Sequence, residues 1–182
     1  MKAVYTFINY YENLPINWEI TTLNNIGIIT GGGTPKTEIN EYWNGDITWI
    51  TPADMSNKIK YIKDSRRKIS ILGLENSSAK LISSNSIIMS SRAPIGYLLI
   101  NTIPVSTSQG CKSFTAYCYE TINISYIYYY LLAVIDDIKK RGSGTTFKEI
   151  SGSEFGNTLI LIPPYDEQNR IAKKIEKLLN VI

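Results

Sequence analysis

The sequence predicts a mixed α+β (α/β) fold: a compact, β-rich body followed by a C-terminal helix of coiled-coil type. Three observations predict it. Residues 45–118 hold short apolar runs broken by Gly, Pro, Ser and Asn, the punctuation of strands and turns. Residues 125–142 place apolar side chains at helical spacing. Residues 166–182 place them four, three and four apart, an a/d seam.

Composition sets the outer limits. The chain has 182 residues, 43% of them hydrophobic, which suits one domain with its own core and a small appendage. Net charge is +3, which permits a polyanionic partner without demanding one. There is no histidine. Ser-His-Asp and Cys-His nucleophile systems and histidine-based metal sites are therefore excluded. Cys111 and Cys118 read as reduced thiols of a cytoplasmic protein. No secretory signal opens the chain, and no run approaches the roughly 18 apolar residues of a membrane span.

The elements follow in order. Residues 1–13 read as an N-terminal arm. In LPINWEITTLNNIGIITGG (residues 14–32) Pro15 predicts a turn, Trp18 an extended segment, and the rest a short helix or strand ending in glycines. GGGTPKT (residues 31–37) predicts a loop, because three glycines hold regular structure only at an entropic cost. GDITWITPADM predicts a strand with Ile47, Trp49 and Thr51 on one side and Thr48 and Ile50 on the other, stopped by Pro52. KIKYIKDSRRKIS (residues 58–70) sets six cations against Asp64 and keeps neither period, so it predicts loop and edge strand. NSSAKLISSNSIIMSS predicts a turn at Ser83-Ser84-Asn85 and then a buried strand. YLLI and PVSTSQGCKSFTAYC continue as strands.

SYIYYYLLAVIDDIKKRG predicts the clearest helix, with Ser125 as N-cap, a stripe through Ile127, Leu131, Val134 and Ile138, cations in the last turn, and Gly142 past the end. GSGTTFKEI is a glycine- and hydroxyl-rich loop. NTLILIPP is a short strand closed by two prolines, and Asp166 caps the final helix. Its seam is Ile171, Ile175, Leu178 and Ile182. A lone helix of this length is marginal in water, so it must dock on something or begin a longer helix.

Candidate chemistry is sparse. GGGTPK lacks the Gly-Lys-Ser/Thr spacing of a phosphate loop; a glycine loop whose amides approach a backbone phosphate and a plain turn both remain open. IPPYDEQ contains the Pro-Pro-Tyr of amino-methyltransferases, but Ile162 stands where a polar residue would hold the target amine. Asp46, Asp54, Glu75 and Glu149 are scattered and form no close acid–base pair. The basic runs at 58–68 and 139–148, with Trp43, Trp49 and Tyr61 near the first, suit nucleic acid. A solvated charged face explains the same runs, and from them alone the two readings stand level.

The order of motifs decides more than any one of them. LPINWE, GGGTPKT…YWNGDITWITPADM, SIIMSSRAPIGYLLI, VSTSQGCKSF, GSGTTFKEIS and IPPYDEQNRIAKKIEKL occur in that sequence, from about Leu14 to the C-terminus. This resembles the specificity subunits of type I restriction–modification systems. More closely, it resembles one target recognition domain, residues 14–162, followed by the start of a conserved-region helix, residues 163–182. The resemblance implies a non-catalytic subunit without cofactor or metal that recognises double-stranded DNA. It also implies methyltransferase and restriction subunits as partners and a helix that pairs in an antiparallel coiled coil. Such subunits carry two recognition domains, so a chain with room for one reads as a dissected piece or as a half-subunit that dimerises on a palindromic target.

On that reading Lys60, Lys63, Arg66, Arg67 and Lys112 hold phosphates, with the amides of the 31–33 and 142–144 loops. Lys36, Thr37, Arg92, Ser108, Gln109, Thr145 and Thr146 read base edges. The 106–110 and 142–146 runs equally suit scaffold turns. A second function class is a dimerisation or partner-docking module that no longer reads DNA. A third, an enzyme, predicts methyl-donor or Mg²⁺ binding.

Overall fold

The computed structural model describes residues 14–144 and 148–179; the expected N-terminal arm lies outside them. A turn at Pro15, closed by the Trp18 amide on the Pro15 carbonyl (3.0 Å), leads into β1 (Glu19–Thr22), α1 (Leu23–Ile26) and β2 (Gly27–Gly31). β3 (Trp43–Ile50) follows the glycine loop, and a 3-10 turn, Pro52–Asp54, ends it. β4 (Tyr61–Ile62) and β5 (Arg67–Ile69) come from the basic run, α2 (Ile71–Glu75) after them, then β6 (Ile87–Ser90), β7 (Leu98–Asn101), β8 (Ser106–Thr107) and β9 (Cys111–Ala116). The C-terminal third supplies α3 (Ile124–Ala133), α4 (Ile135–Lys140), α5 (Gly152–Gly156), β10 (Leu159–Ile162) and α6 (Tyr165–Leu179).

A five-stranded sheet in the order β2-β9-β6-β7-β4 forms the centre. All its pairs are antiparallel except β4 with β7. Every residue of β6 and β7 is buried, so both faces of the sheet are covered. Alternation sorts the side chains. Ile87, Met89, Leu98, Ile100 and Phe114 pack with the helices, while Ile88, Leu99 and Cys111 pack with Ile50, Met55 and Val105 on the other side. A second sheet, β5-β3-β8, lies on that other side, with Trp43, Trp49 and Ile69 in a small core of its own. β4 and β5 are both edge strands, as the mixed periodicity of the basic run predicts. A two-stranded ladder, β1 with β10, closes the body, pairing Glu19 with Ile162.

The tyrosine-rich helix differs from expectation in two respects. Its cap is Asn123, whose side chain accepts from the Tyr126 amide at 2.8 Å; Ser125 lies inside the first turn. The helix also breaks at Val134, where one amide is shared between the Tyr130 and Leu132 carbonyls, and restarts as α4. The apolar stripe read through both pieces because Ile138 returns to the core after the break. α3 is apolar on nearly every side, with six of its ten residues buried, and lies between the sheet and α6. The short helices α2 and α5 escape the sequence pattern because one turn has no period; each depends on its cap, Ser70 accepting from Gly73 and Ser151 from Glu154.

α6 starts at Tyr165, one residue before the expected cap. Ile171 and Ile175, half the predicted seam, pack against the protein's own core, and Leu178 is exposed. Ile182 lies outside the described residues. What fastens the helix is Gln168, which is 1% exposed. Its Oε1 accepts from the Asn123 amide (2.9 Å), and its Nε2 donates to the Thr121 and Pro163 carbonyls (both 2.9 Å). The Tyr126 hydroxyl adds a bond to the Leu161 carbonyl at 2.7 Å. One buried amide thus joins the start of α3, the double proline and α6.

Replacing Gln168 with Leu leaves the part-buried Asn123 N–H, the part-buried Thr121 carbonyl and the buried Pro163 carbonyl without this partner. Unfolding free energy should fall by about 2–4 kcal/mol, measured by urea denaturation, whereas Asn169→Ala nearby should cost clearly less.

Candidate functional site

The glycine loop after β2 runs between two neighbours. The Gly32 amide donates to the Cys111 carbonyl (3.3 Å) and the Gly33 amide to the Thr107 carbonyl (2.8 Å). A Cβ on Gly32 would lie 2.0 Å from the Ser108 oxygen, and one on Gly33 2.2 Å from the Ala79 nitrogen, so close approach demands glycine at both. The indole N–H of Trp49 donates to the Gly33 carbonyl (2.9 Å), and that of Trp43 to the Lys36 carbonyl (3.1 Å). The sequence suggested these amides as phosphate ligands; those of Gly32 and Gly33 are already bonded within the protein. Lys36 and Thr37 are exposed just beyond them.

The SSRAPIG and STSQG runs meet around one carboxylate. Gly96, at φ +101, takes a left-handed conformation that suits glycine and turns the chain. The Ser90 hydroxyl closes the same turn by donating to the Pro94 carbonyl (2.7 Å) and accepting from the Tyr97 amide (2.9 Å). Arg92 Nε donates to Glu149 Oε2 at 2.9 Å, and Lys112 Nζ to Glu149 Oε1 at 3.0 Å. Lys112 also donates to the Ser91 hydroxyl and the Gln109 carbonyl, both at 3.3 Å. The Gln109 side chain accepts from the Thr34 hydroxyl, which ties the turn to the glycine loop. Burial alone would raise the Glu149 pKa; the hydrogen bonds and charges of Lys112 and Arg92 outweigh it and hold the carboxyl below its ordinary value.

The basic run is anchored at its turn. Asp54 completes a capping box with Thr51 and accepts from the Arg66 amide at 3.2 Å, with the Arg66 side chain 3.6 Å away. Lys63 and Arg66 line a groove of about 660 Å³ together with Tyr61 and Ser65. The Pro52 ring would touch a Cβ on Gly110, so this turn abuts the 108–110 turn. Arg67 lies over the Trp43 ring, 3.6 Å from its centroid.

Side-chain and backbone contacts therefore bring Lys36, Arg66, Arg67, Arg92, Ser108, Gln109 and Lys112 into one continuous cluster of loops and strand ends, with Lys63 beside Arg66. Ser108 and Lys112 are buried in it, and Arg92 is about half exposed. Lys60 is not among them. Its ammonium meets Glu176 of α6, donates to Ser125 Oγ (3.3 Å) and Tyr129 Oη (3.2 Å), and faces the rings of Tyr61, Tyr128 and Tyr129. Burial disfavours that charge, yet Glu176 and the tyrosine hydroxyls hold its pKa above the ordinary value. Thr145 and Thr146 lie outside the described residues.

Sequence reasoning missed Glu149, Asp54 and Gln168. The signal for the first is an acid immediately after the basic run 139–148. Cys111 is buried and its thiol is pushed up to about 12 by desolvation, and both cysteines are free. Among the described residues no group of three or more Cys, Asp or Glu side chains could hold a metal ion, and no helix is long and apolar enough to cross a membrane.

A family model described as "Type I restriction modification DNA specificity domain" matches residues 15–182. The chain is 35% identical over 162 residues to the type I restriction enzyme MjaIX specificity subunit of Methanocaldococcus jannaschii, covering 87% of this chain and 37% of that protein. It is 30% identical over 181 residues to the EcoR124I/EcoR124II specificity subunit of Escherichia coli, covering 93% and 44%. The HsdS subunit from Thermoanaerobacter tengcongensis superposes with a TM-score of 0.73 at 17% identity, over 92% of this chain and 38% of that one. The chain thus spans about two-fifths of the length of the relatives it matches.

Glu149 sets an acid limit on the loop cluster. Its folded pKa is depressed, so its contribution is full above the ordinary value of 4.5 and is lost as pH falls through the lower folded value. Glu149→Gln should cost about 1 kcal/mol at pH 7, and the cost should shrink steadily as pH is lowered below 4.5, read as urea midpoints; a loss that does not change with pH would refute the ion-pair account.

Proposed function

Because the chain belongs to the type I restriction–modification DNA specificity family, we propose that it recognises a short element of double-stranded DNA without catalysing a reaction. In this reading it acts in the cytoplasm and directs methyltransferase (modification) and restriction subunits to the site. Residues 14–162 do the recognition, and residues 163–182 begin the helix that carries it. The observation supporting this most is the single cluster in which Glu149 and Asp54 hold together loops from five parts of the chain.

Labour divides within that cluster. Lys36, Lys63 and Arg66 are exposed cations on fixed loops and suit phosphates. Arg92, Gln109, Thr37, Thr145 and Thr146 are our candidates for base edges, with glutamine to adenine the natural geometry. Ser108 and Lys112 are buried behind them and serve by fixing the 108–110 turn. Lys60 serves in the same indirect way, by holding α6 on α3.

One observation favours a second role beside the first. Leu178 and Leu179 are each 55% exposed on α6, an apolar end suited to a partner helix or a second copy. Leu178→Glu should abolish self-association in sedimentation if a homodimer forms there, and leave DNA binding by the monomer unchanged.

Selection from randomised duplexes tests the main reading. A bound pool should converge on one short element, and affinity should fall steeply with salt. Lys63→Ala and Arg66→Ala should each weaken binding to all sequences alike and reduce the salt slope by about one. Gln109→Ala should relax preference at one base pair by about 1–3 kcal/mol. A pool that never converges would refute sequence recognition.

A further inference from the structure

We infer that Arg67 is a base-reading residue, selecting a guanine in the major groove, and not one of the phosphate contacts. The inference rests on DNA recognition by this cluster and assigns the role of one side chain within it.

The chain has five arginines, and four are engaged. Arg66 is near Asp54, Arg92 bonds Glu149, Arg141 bonds the Glu154 carbonyl and the Thr158 hydroxyl, and Arg170 pairs with Glu167. Among the described residues Arg67 alone has neither an acidic partner nor a hydrogen bond to its guanidinium. It is exposed, and two rings hold it: the guanidinium carbon is 3.6 Å from the Trp43 ring centroid and 5.5 Å from that of Trp49. Those rings are themselves locked edge to face, 5.1 Å apart at 84°, with both indole N–H groups bonded to the glycine loop.

The backbone beneath is equally constrained. Arg67 pairs with Trp49 across β3 and β5. The Ser65 hydroxyl accepts from the Trp49 amide (3.1 Å) and donates to the Arg67 carbonyl (2.7 Å). A cation that neutralises a phosphate needs no such fixing; flexible neighbours such as Lys63 already offer that. Contact with the ring faces uses none of the five guanidinium N–H donors, and no acceptor among the described residues takes one, so the fork is free for a ligand while the rings restrict where the side chain can go. A planar fork held in place matches the paired O6 and N7 acceptors of guanine, the one base edge that takes it bidentately.

The test compares Arg67→Ala and Arg67→Lys with Arg66→Ala, each in the full chain, against the wild-type selected element and its single-base variants. Both Arg67 variants should lose preference for guanine at one position by on the order of 5- to 150-fold, with the salt slope unchanged. Lysine should not rescue, because it supplies charge without the fork. A uniform loss with a shallower salt slope would make Arg67 a phosphate contact and overturn the inference. So would no change in either quantity. Melting temperatures near wild type, expected for an exposed side chain, separate these outcomes from misfolding. If the wild-type protein selects no element, DNA reading itself fails and takes this assignment with it. If it selects one and Arg67→Ala keeps every preference, only the assignment fails.

Discussion

Covering both faces of one five-stranded sheet is the constraint on which the rest of the structure depends. With β6 and β7 buried above and below, apolar residues fill both sides of the strands over Ile87–Met89 and Leu98–Ile100, and the buried polar residues Ser90 and Asn101 stand at the strand ends. Polar chemistry is displaced to the strand ends and the loops that join them. That displacement explains why Arg92, Gln109 and Arg66 all sit in turns, and why a small second sheet on one face brings its own loops to the same cluster. The helical face carries the opposite load: α3 is apolar on nearly all sides because it is enclosed by the sheet and by α6.

Charge in this protein is arranged in pairs before it is offered to solvent. Glu149 holds Arg92 and Lys112, Asp54 holds the Arg66 loop, and Glu176 reaches Lys60. A count of cations in residues 58–68 therefore overstates what is free to meet a polyanion. Lys60 illustrates the point: its charge ties a strand-edge loop to two helices, inside a ring of tyrosines that also stabilises it. What remains exposed is fewer cations, on loops fixed by their own acids.

Much of this was legible in the sequence. Turn residues and apolar runs placed the strands, and the order of motifs gave the family. Asn123 was missed as a cap because Ser125, also a good cap, stands two residues on; the choice between them is made by α6, whose Gln168 engages the Asn123 amide. The role of Gln168 was hidden for the same reason, since its partners Asn123 and Thr121 lie more than forty residues away. The glycine loop looked like a ligand cradle because composition cannot distinguish glycine needed for a ligand from glycine needed for a neighbour. Arg67 was placed among interchangeable cations because sequence shows its charge and not the two indoles beneath it.

The β1–β10 ladder has a consequence of another kind. Pairing Glu19 with Ile162 brings the strand that enters the body alongside the one that leaves it. A unit whose entry and exit adjoin can be spliced into a longer chain with little disturbance to whatever flanks it. Its loops can be rewritten, or the whole unit exchanged for another with different loops, while the junction keeps the same width. The attachment and the outer turns are thus separate parts of the structure, the first held by a ladder of four residue pairs.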